Sequence, residues 1–341
     1  MVEFKELDKA VPVWYPYVYW RAVPHRGRYI NVNQNGLRAT WNPPQRDGAD
    51  EPPPVRVFAF GGSTMWGWGA RDDYTIASYL SKLLYEQGYR AAVTNYGQID
   101  YVSTQEVIAL LRRIRRGEVP DIVLFYDGIN DVFSSHRNGR VGISTNEWAR
   151  RAEFNLSRRP QQLARIWARE VLVKHHFRGF RRLARELRYR IRPSAPLHIK
   201  PKDRASNDEL ARQIVRLYEA NLAIVESLGR SYGFDPLFYW QPAIFSKRYR
   251  SPFEQSWTKR ASFLEPMYDA IYRRIRQSET LNSRPRFHNI DALLDDLEEP
   301  YYWDYAHVSE AGNQRIAAAM VDDVIALIER RRTAAEGKAI Q

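Results

Sequence analysis

A chain of 341 residues, 44% hydrophobic and 13% aromatic, can build one large domain or two small ones, which excludes global disorder. It has no cysteine, so disulfides, Cys-ligated zinc and a thiol nucleophile are all excluded. The formal charge of +12 is concentrated in residues 137–192, where 15 Arg and one Lys face four Glu. Such a stretch is either a patch for an anionic surface or acidic glycan, or a solvated helical face.

Residues 1–54 are aromatic and proline-rich and end in Glu51-Pro52-Pro53-Pro54, an extended connector. Within them, Arg28–Val32 followed by Asn33-Gln34-Asn35-Gly36 reads as a strand entering a turn. The segment is expected to form a small layer packed on the main domain. From Val55 strands and helices alternate. Val55–Phe60 is a short apolar strand, and Ile76, Tyr79, Leu80, Leu83 and Leu84 share a helical face that ends at Gly88. Ala91–Asn95 is a second strand. Ser103 with Glu106 forms a capping-box signature for a helix to Gly117. Asp121–Tyr126 is a third strand. Residues 134–206 break the rhythm as an Arg-rich helical insertion, a possible lid, in which Leu163, Trp167, Phe177, Phe180 and Leu187 fall near one stripe. Asn207 caps a long helix to Gly229, Pro236–Trp240 is a fourth strand, a helix surrounds Leu264–Arg276, and Phe287–Ile290 is a short fifth strand. Ser309 caps the last helix, and 331–341 is a C-terminal tail after a main domain of residues 55–330. The alternation predicts a three-layer α/β/α sandwich with a flavodoxin-like parallel sheet in the order 2-1-3-4-5.

Three polar residues stand where apolar runs end or a helix opens: Ser63 after Val55–Gly62, Asn130 after Asp121–Ile129, and His307 three residues beyond Asp304. Ligands bind beyond the carboxyl ends of strands in open α/β sheets, so these groups are expected to converge on one crevice. Serine is a poor nucleophile until a base takes its proton; His307 is the candidate base, and Asp304 the acid that would orient it. An asparagine amide can bind an oxyanion. Each residue also has a plainer reading. Ser63 could cap a following helix, although that helix reads as starting near Tyr74. Asn130 could be a turn former, and Asp304 a structural acid.

Taken together, Gly61-Gly62-Ser63-Thr64, Asn95-Tyr96-Gly97, Gly128-Ile129-Asn130-Asp131 and Asp304-Tyr305-Ala306-His307 resemble, in order, the four blocks of the SGNH (GDSL-type) hydrolases, a family of serine esterases and lipases. Gly62 stands where that family has an aspartate. The resemblance implies a nucleophile at Ser63, a triad completed by Asp304 and His307, and an oxyanion hole made by the backbone N–H of Ser63, the backbone N–H of Gly97 and the Asn130 amide. It calls for no cofactor and no metal. Glycine at 97 is expected to let the backbone approach the substrate closely. Trp66, Trp68, Tyr96 and Tyr101 are candidates to stack on a sugar or pack an acyl chain. Asp127 and Asp131 read as loop anchors, and the remaining histidines as surface or packing residues. An α/β-hydrolase elbow is disfavoured because Met65 replaces the final glycine of Gly-x-Ser-x-Gly, and no His-Glu-x-x-His zinc motif occurs.

The function expected is hydrolysis of an acyl or acetyl ester of a carbohydrate or lipid through an acyl-enzyme. Acyl transfer to a sugar hydroxyl, or a non-catalytic polyanion- or membrane-surface-binding protein on the same fold, are the alternatives. Partners expected are a small-molecule or glycan ester and an anionic surface or acidic glycan at residues 137–192, with no nucleic acid. No stretch reaches the ~20 apolar residues of a membrane span. Met1–Glu6 lacks the features of a signal peptide, so the protein is cytoplasmic or has lost a leader, the second being favoured.

Overall fold

The computed structural model describes residues 12–44, 53–145 and 205–339, with Glu6 and a few positions between 147 and 155. The lid reading, the stripe from Leu163 to Leu187 and most of the Arg-rich stretch lie outside the described residues. Four short strands come first: β1 Pro12–Tyr15, β2 Tyr19–Ala22, β3 His25–Arg26 and β4 Asn31–Val32, joined as two antiparallel hairpins. The strand expected over Arg28–Val32 is thus only its last two residues. The Glu6 carboxylate accepts the N–H groups of Arg28, Tyr29 and Ile30 at 3.1–3.2 Å and holds them in a turn instead of a ladder. Asn33 Oδ1 accepts from Asn35 and Leu37 and closes the next turn, as its sequence suggests.

The main sheet has five parallel strands: β5 Val55–Gly61, β6 Ala91–Asn95, β7 Ile122–Asp127, β8 Asp235–Trp240 and β9 Phe287–Asn289. Their spatial order is β6-β5-β7-β8-β9, which is 2-1-3-4-5 in order of appearance. Central β7 is buried at every residue, whereas edge strand β6 alternates, the pattern expected when helices cover both faces. Phe60, Phe125 and Phe238 are register partners on β5, β7 and β8, and their rings stack at 5.3 and 5.6 Å. Tyr96 extends the row at 5.0 Å from Phe60. This aromatic row lies near the carboxyl ends of the strands and forms a rigid floor there. One helical layer holds Ile76–Glu86 against Glu310–Ala339; the other packs Asn207–Tyr232 on Ser103–Ile114, Ile129–Asn138 and Glu265–Gln277.

Several helix ends differ from the sequence reading. Ser103 is inside its helix and not its cap: its hydroxyl donates to Asp131 Oδ1 at 2.7 Å, and Gln105 Oε1 reaches back to the Val102 N–H. Ser206, not Asn207, caps the long helix, which passes Gly229 and ends at Tyr232 before Gly233. Gly229 serves packing, since a Cβ there would lie 2.7 Å from Phe234 O. The helix Pro252–Arg260 was not anticipated, although Ser251-x-x-Glu254 is a complete capping box. The helix bearing Asn130 runs on to Asn138, so the first residues assigned to the insertion belong to the main domain. The last helix continues to Ala339 where a tail was expected from 331, because Arg330 and Arg331 pair with Asp235 and Arg331 also with Asp121. Among the described residues no helix is long and apolar enough to cross a membrane.

Candidate active site

Strand β5 ends at Gly61, and the chain turns at once into a one-turn helix, Ser63–Trp66, closed by Gly67 at φ +93°. Ser63 therefore opens this short helix; the next full helix starts at Ile76, near the position expected. As the first helical residue, Ser63 carries one of the N–H groups that a helix cannot satisfy internally. Its Oγ lies 2.7 Å from His307 Nε2, and His307 Nδ1 lies 2.7 Å from Asp304 Oδ2. Asp304 Oδ1 accepts the backbone N–H groups of Ala306 and His307 at 2.7 and 2.8 Å. Burial would raise the Asp304 carboxyl, but the charge of His307 and these hydrogen bonds hold it below the ordinary carboxylate range. An ionised acid on Nδ1 fixes the tautomer in which Nε2 accepts the serine proton.

The loop carrying Asp304 and His307 is clamped at its base. Tyr302 and Val308 form an antiparallel bridge, and Trp303 N–H donates to His307 O at 2.8 Å. Below it, Glu254 Oε1 accepts the N–H groups of Tyr301 and Tyr302 at 3.0 and 3.1 Å. Lys247 Nζ meets both Glu254 oxygens at 2.9 and 3.0 Å, and neither side chain of this pair is exposed. Lys247 also donates to Glu299 O.

Asn130 begins the opposite wall. Its Nδ2 donates to Tyr101 O at 2.8 Å, which uses one of two amide N–H bonds and leaves the second for a ligand. The same atom packs against Gly62: a Cβ at position 62 would lie 2.2 Å from it. The glycine that departs from the resembled aspartate thus gives Asn130 its place beside the turn that carries Ser63. Gly97 lies against that turn too. A Cβ at 97 would meet Trp66 N at 2.5 Å and Met65 C at 2.9 Å, so glycine is needed for packing on the helix of Ser63. The Gly97 N–H donates to Asn95 Oδ1 at 2.9 Å, and any oxyanion must share that donor.

Sequence reasoning missed the braces. Buried Asn95, quoted above only as the start of the Asn95-Tyr96-Gly97 block, joins Gly97 to Met65 O at 2.8 Å. Thr64 Oγ1 donates to Gln241 Oε1 at 2.9 Å, which ties the turn to the end of β8. Arg38, from the N-terminal layer, is almost wholly buried. Its guanidinium pairs with Asp72 at 2.6 Å and donates to the carbonyls of Gly67 and Ala70 at 3.2 and 2.7 Å. It also covers the Trp66 ring at 4.5 Å. Of the four aromatics expected at the site, only Trp68 stands beside His307, with ring centroids 5.7 Å apart. Trp66 is fully buried under Arg38, Tyr96 is part of the aromatic row, and the Tyr101 hydroxyl is spent on Trp20 O. His288 stacks on Tyr239 at 4.9 Å, a packing role; His175, His176 and His198 lie outside the described residues.

No family model matches this chain, and no curated protein matches it in sequence. Solved structures do align with it. They include an acetylxylan esterase from Geobacillus stearothermophilus, 14% identical over 79% of this chain and 94% of that one, TM-score 0.38. A member of the lipolytic G-D-S-L family from Veillonella parvula is 9% identical over 79% of this chain and 97% of that one, TM-score 0.41. A lipase from a goat rumen metagenome is 13% identical over 77% and 94%, TM-score 0.42. Likeness this distant leaves the chemistry to be argued from the site itself.

Proposed function

We propose that this protein is a serine ester hydrolase of the SGNH kind, with Ser63 as nucleophile, His307 as general base and acid, and Asp304 as the orienting acid. The observation that carries the reading is the pair of 2.7 Å hydrogen bonds linking Ser63, His307 and Asp304, contributed by segments 244 residues apart in sequence. In the first half-reaction Ser63 Oγ bonds to the acyl carbon as its proton passes to His307 Nε2. That proton then leaves on the departing alcohol as the ester C–O bond breaks. Water repeats the sequence on the acyl-enzyme and releases the acid. The Asn130 amide and the N–H groups of Ser63 and Gly97 serve the oxyanion of each tetrahedral intermediate. The acyl or acetyl ester of a carbohydrate or lipid is the substrate class this reading names. Covalent labelling by a fluorophosphonate, mapped to Ser63 and lost in Ser63→Ala, together with turnover of an acyl-ester panel, tests it. Labelling elsewhere, or ester turnover that survives in Ser63→Ala, rejects it.

A further inference from the structure

A narrow cleft lies between the N-terminal layer and the end of the helix Ser103–Ile114, and four arginines line it: Arg21, Arg112, Arg113 and Arg116. Among the described residues no Asp or Glu lines it, and none of Ser63, Asn130, Asp304 and His307 does. The Arg21 and Arg112 guanidiniums both stand over the Tyr15 ring, 4.2 and 4.7 Å from its centroid. Arg116 donates to the Tyr15 hydroxyl at 3.4 Å, and Arg21 donates to Asn35 O at 3.1 Å. Arg113 pairs with Glu118 at 3.1 Å and covers the Tyr96 ring at 4.9 Å. Arg21, Arg112 and Arg116 meet no carboxylate among the described residues.

Structural needs do not use up these charges. Cations near a helix end offset a partial charge of about half a unit, for which one or two suffice, and Arg21 comes from β2, outside the helix. Like charges gathered on one ring repel, and an aromatic face offsets a guanidinium only weakly at an exposed site. Burial would raise the Tyr15 phenol, but Arg112 and Arg116 beside it hold it below its ordinary range, as a positive potential does. A guanidinium presents its donors in a planar fork that suits carboxylate and phosphate oxygens. A carboxylate carries one charge on one edge. A phosphate carries up to two and directs its oxygens several ways, so it can meet guanidiniums arriving from β2 and from the helix end together.

We propose that this cleft is a second binding site, which takes a phosphate group between Arg21, Arg112 and Arg116, with Tyr15 holding the guanidiniums in place. The site stands apart from the triad and does not depend on the hydrolase reading. Tyr96, Gln98 and Tyr101 also line it, and Tyr101 O holds the Asn130 amide, so an occupant would rest on the loop that carries Gly97. Soluble phosphates and the headgroups of anionic lipids share this chemistry. Trp14 and Tyr17 are exposed on the hairpin that carries Tyr15, where a lipid surface would cover them and a soluble anion would not.

The test is titration calorimetry of the intact chain with pyrophosphate and with glucuronate at low salt, beside co-sedimentation with vesicles of phosphatidic acid in phosphatidylcholine. We expect one pyrophosphate per chain, with affinity at least ~10-fold lower in Arg112→Gln and in Arg116→Gln. The double variant Arg178→Gln/Arg181→Gln, in the basic stretch, should bind within ~2-fold of the wild type. Glucuronate, with its single carboxylate, should bind at least ~10-fold more weakly than pyrophosphate. Arg116 is exposed, so its substitution keeps the test valid should Arg112→Gln fail to fold, and melting temperatures show which variants are folded. Vesicle binding lost in these same variants assigns the phosphate to a lipid headgroup; pyrophosphate binding without it assigns a soluble phosphate. Absence of any binding that Arg112→Gln or Arg116→Gln weakens overturns the site, and so does an equal loss in Arg178→Gln/Arg181→Gln. Glucuronate bound as tightly as pyrophosphate overturns the choice of phosphate.

Discussion

The two walls of the site hold their key side chains by opposite electrostatic means. Under the His307 loop, a buried carboxylate is matched by a buried ammonium, Glu254 with Lys247. Beside Asn130, the carboxyls of Glu106, Asp127 and Asp131 are buried, and Asp131 is held by the N–H and hydroxyl of Ser103. The first wall is compensated by a fixed charge, whereas burial pushes the acids of the second above the ordinary carboxylate range. A fixed charge is indifferent to ordinary changes of pH, whereas a proton is in equilibrium with solvent. Burial would raise Glu254, but its bonds to Lys247 and backbone N–H groups hold it below the ordinary range. Its contribution is therefore present at neutral pH and lost only in acid. The acid cluster works in the other direction.

The largest effects should ignore this difference, because the proposed nucleophile Ser63 lies on the turn between the walls. Ser63→Ala and His307→Ala should each reduce ester hydrolysis ~10³-fold or more, with the double variant little worse, since the members act as a unit. A steady-state assay on a small ester checks this; additive losses would break the shared mechanism. On the charge-compensated wall, Lys247→Met should cost about 3–5 kcal/mol of stability by stranding the Glu254 carboxylate. Denaturant unfolding measures it, and a loss below about 1 kcal/mol would show that water reaches the pair. On the other wall, Asn130→Ala should lower kcat ~10²–10³-fold through loss of one oxyanion donor.

A smaller effect separates the walls most sharply. Asp127 and Asp131 are raised to about 7 and about 6, in each case chiefly by burial. Such groups bind more protons folded than unfolded, so stability should fall as pH rises from the ordinary carboxylate range through about 7. Thermal melts between pH 5 and 8 check the sign, and a melting temperature that rises across this window contradicts it. The smallest effect on chemistry should come from the basic stretch. Replacing several arginines between Arg178 and Arg192 with Gln is expected to weaken salt-sensitive adsorption to anionic vesicles or acidic glycan, while turnover of a small neutral ester stays nearly intact. Both are to be measured on one variant. Collapse of turnover with the fold preserved would place the stretch in the catalytic apparatus.

The comparison also marks what the sequence could convey. The five-strand sheet was legible because each strand is a short apolar run between turn signals, and the order follows from alternation with helices. Ser63, Asn130, Asp304 and His307 were legible as positions because they stand at strand ends or before a helix, and the structure brings them together. The supports were not. Glu254 contacts a loop nearly 50 residues away, and Arg38 reaches carbonyls about 30 residues on, at spacings that carry no periodic signature. Glu106 reads as half of a capping box, yet Gln105 is the residue that reaches back to the Val102 N–H, and Glu106 is buried. The packing of Gly97 is hidden for the same reason: its neighbours are Met65 and Trp66, which only the folded chain supplies.

The proline-rich connector before Val55 looks like a domain boundary, yet the layer before it is stitched into the site. Gln98 receives the Ala22 N–H and donates to Gly36 O at 2.8 and 2.9 Å, Trp20 donates to Ile99 O at 2.8 Å, and Arg38 caps the carbonyls behind the nucleophile turn. A fragment begun at Val55 would retain every strand of the sheet and all three triad residues. It would also strand the Gln98 amide and the carbonyls of Gly67 and Ala70 without these partners, next to the two loops that must stay still. The layer and the sheet therefore share buried hydrogen bonds, and a chimaera that exchanges the layer must keep Gln98, Asp72 and Arg38 matched.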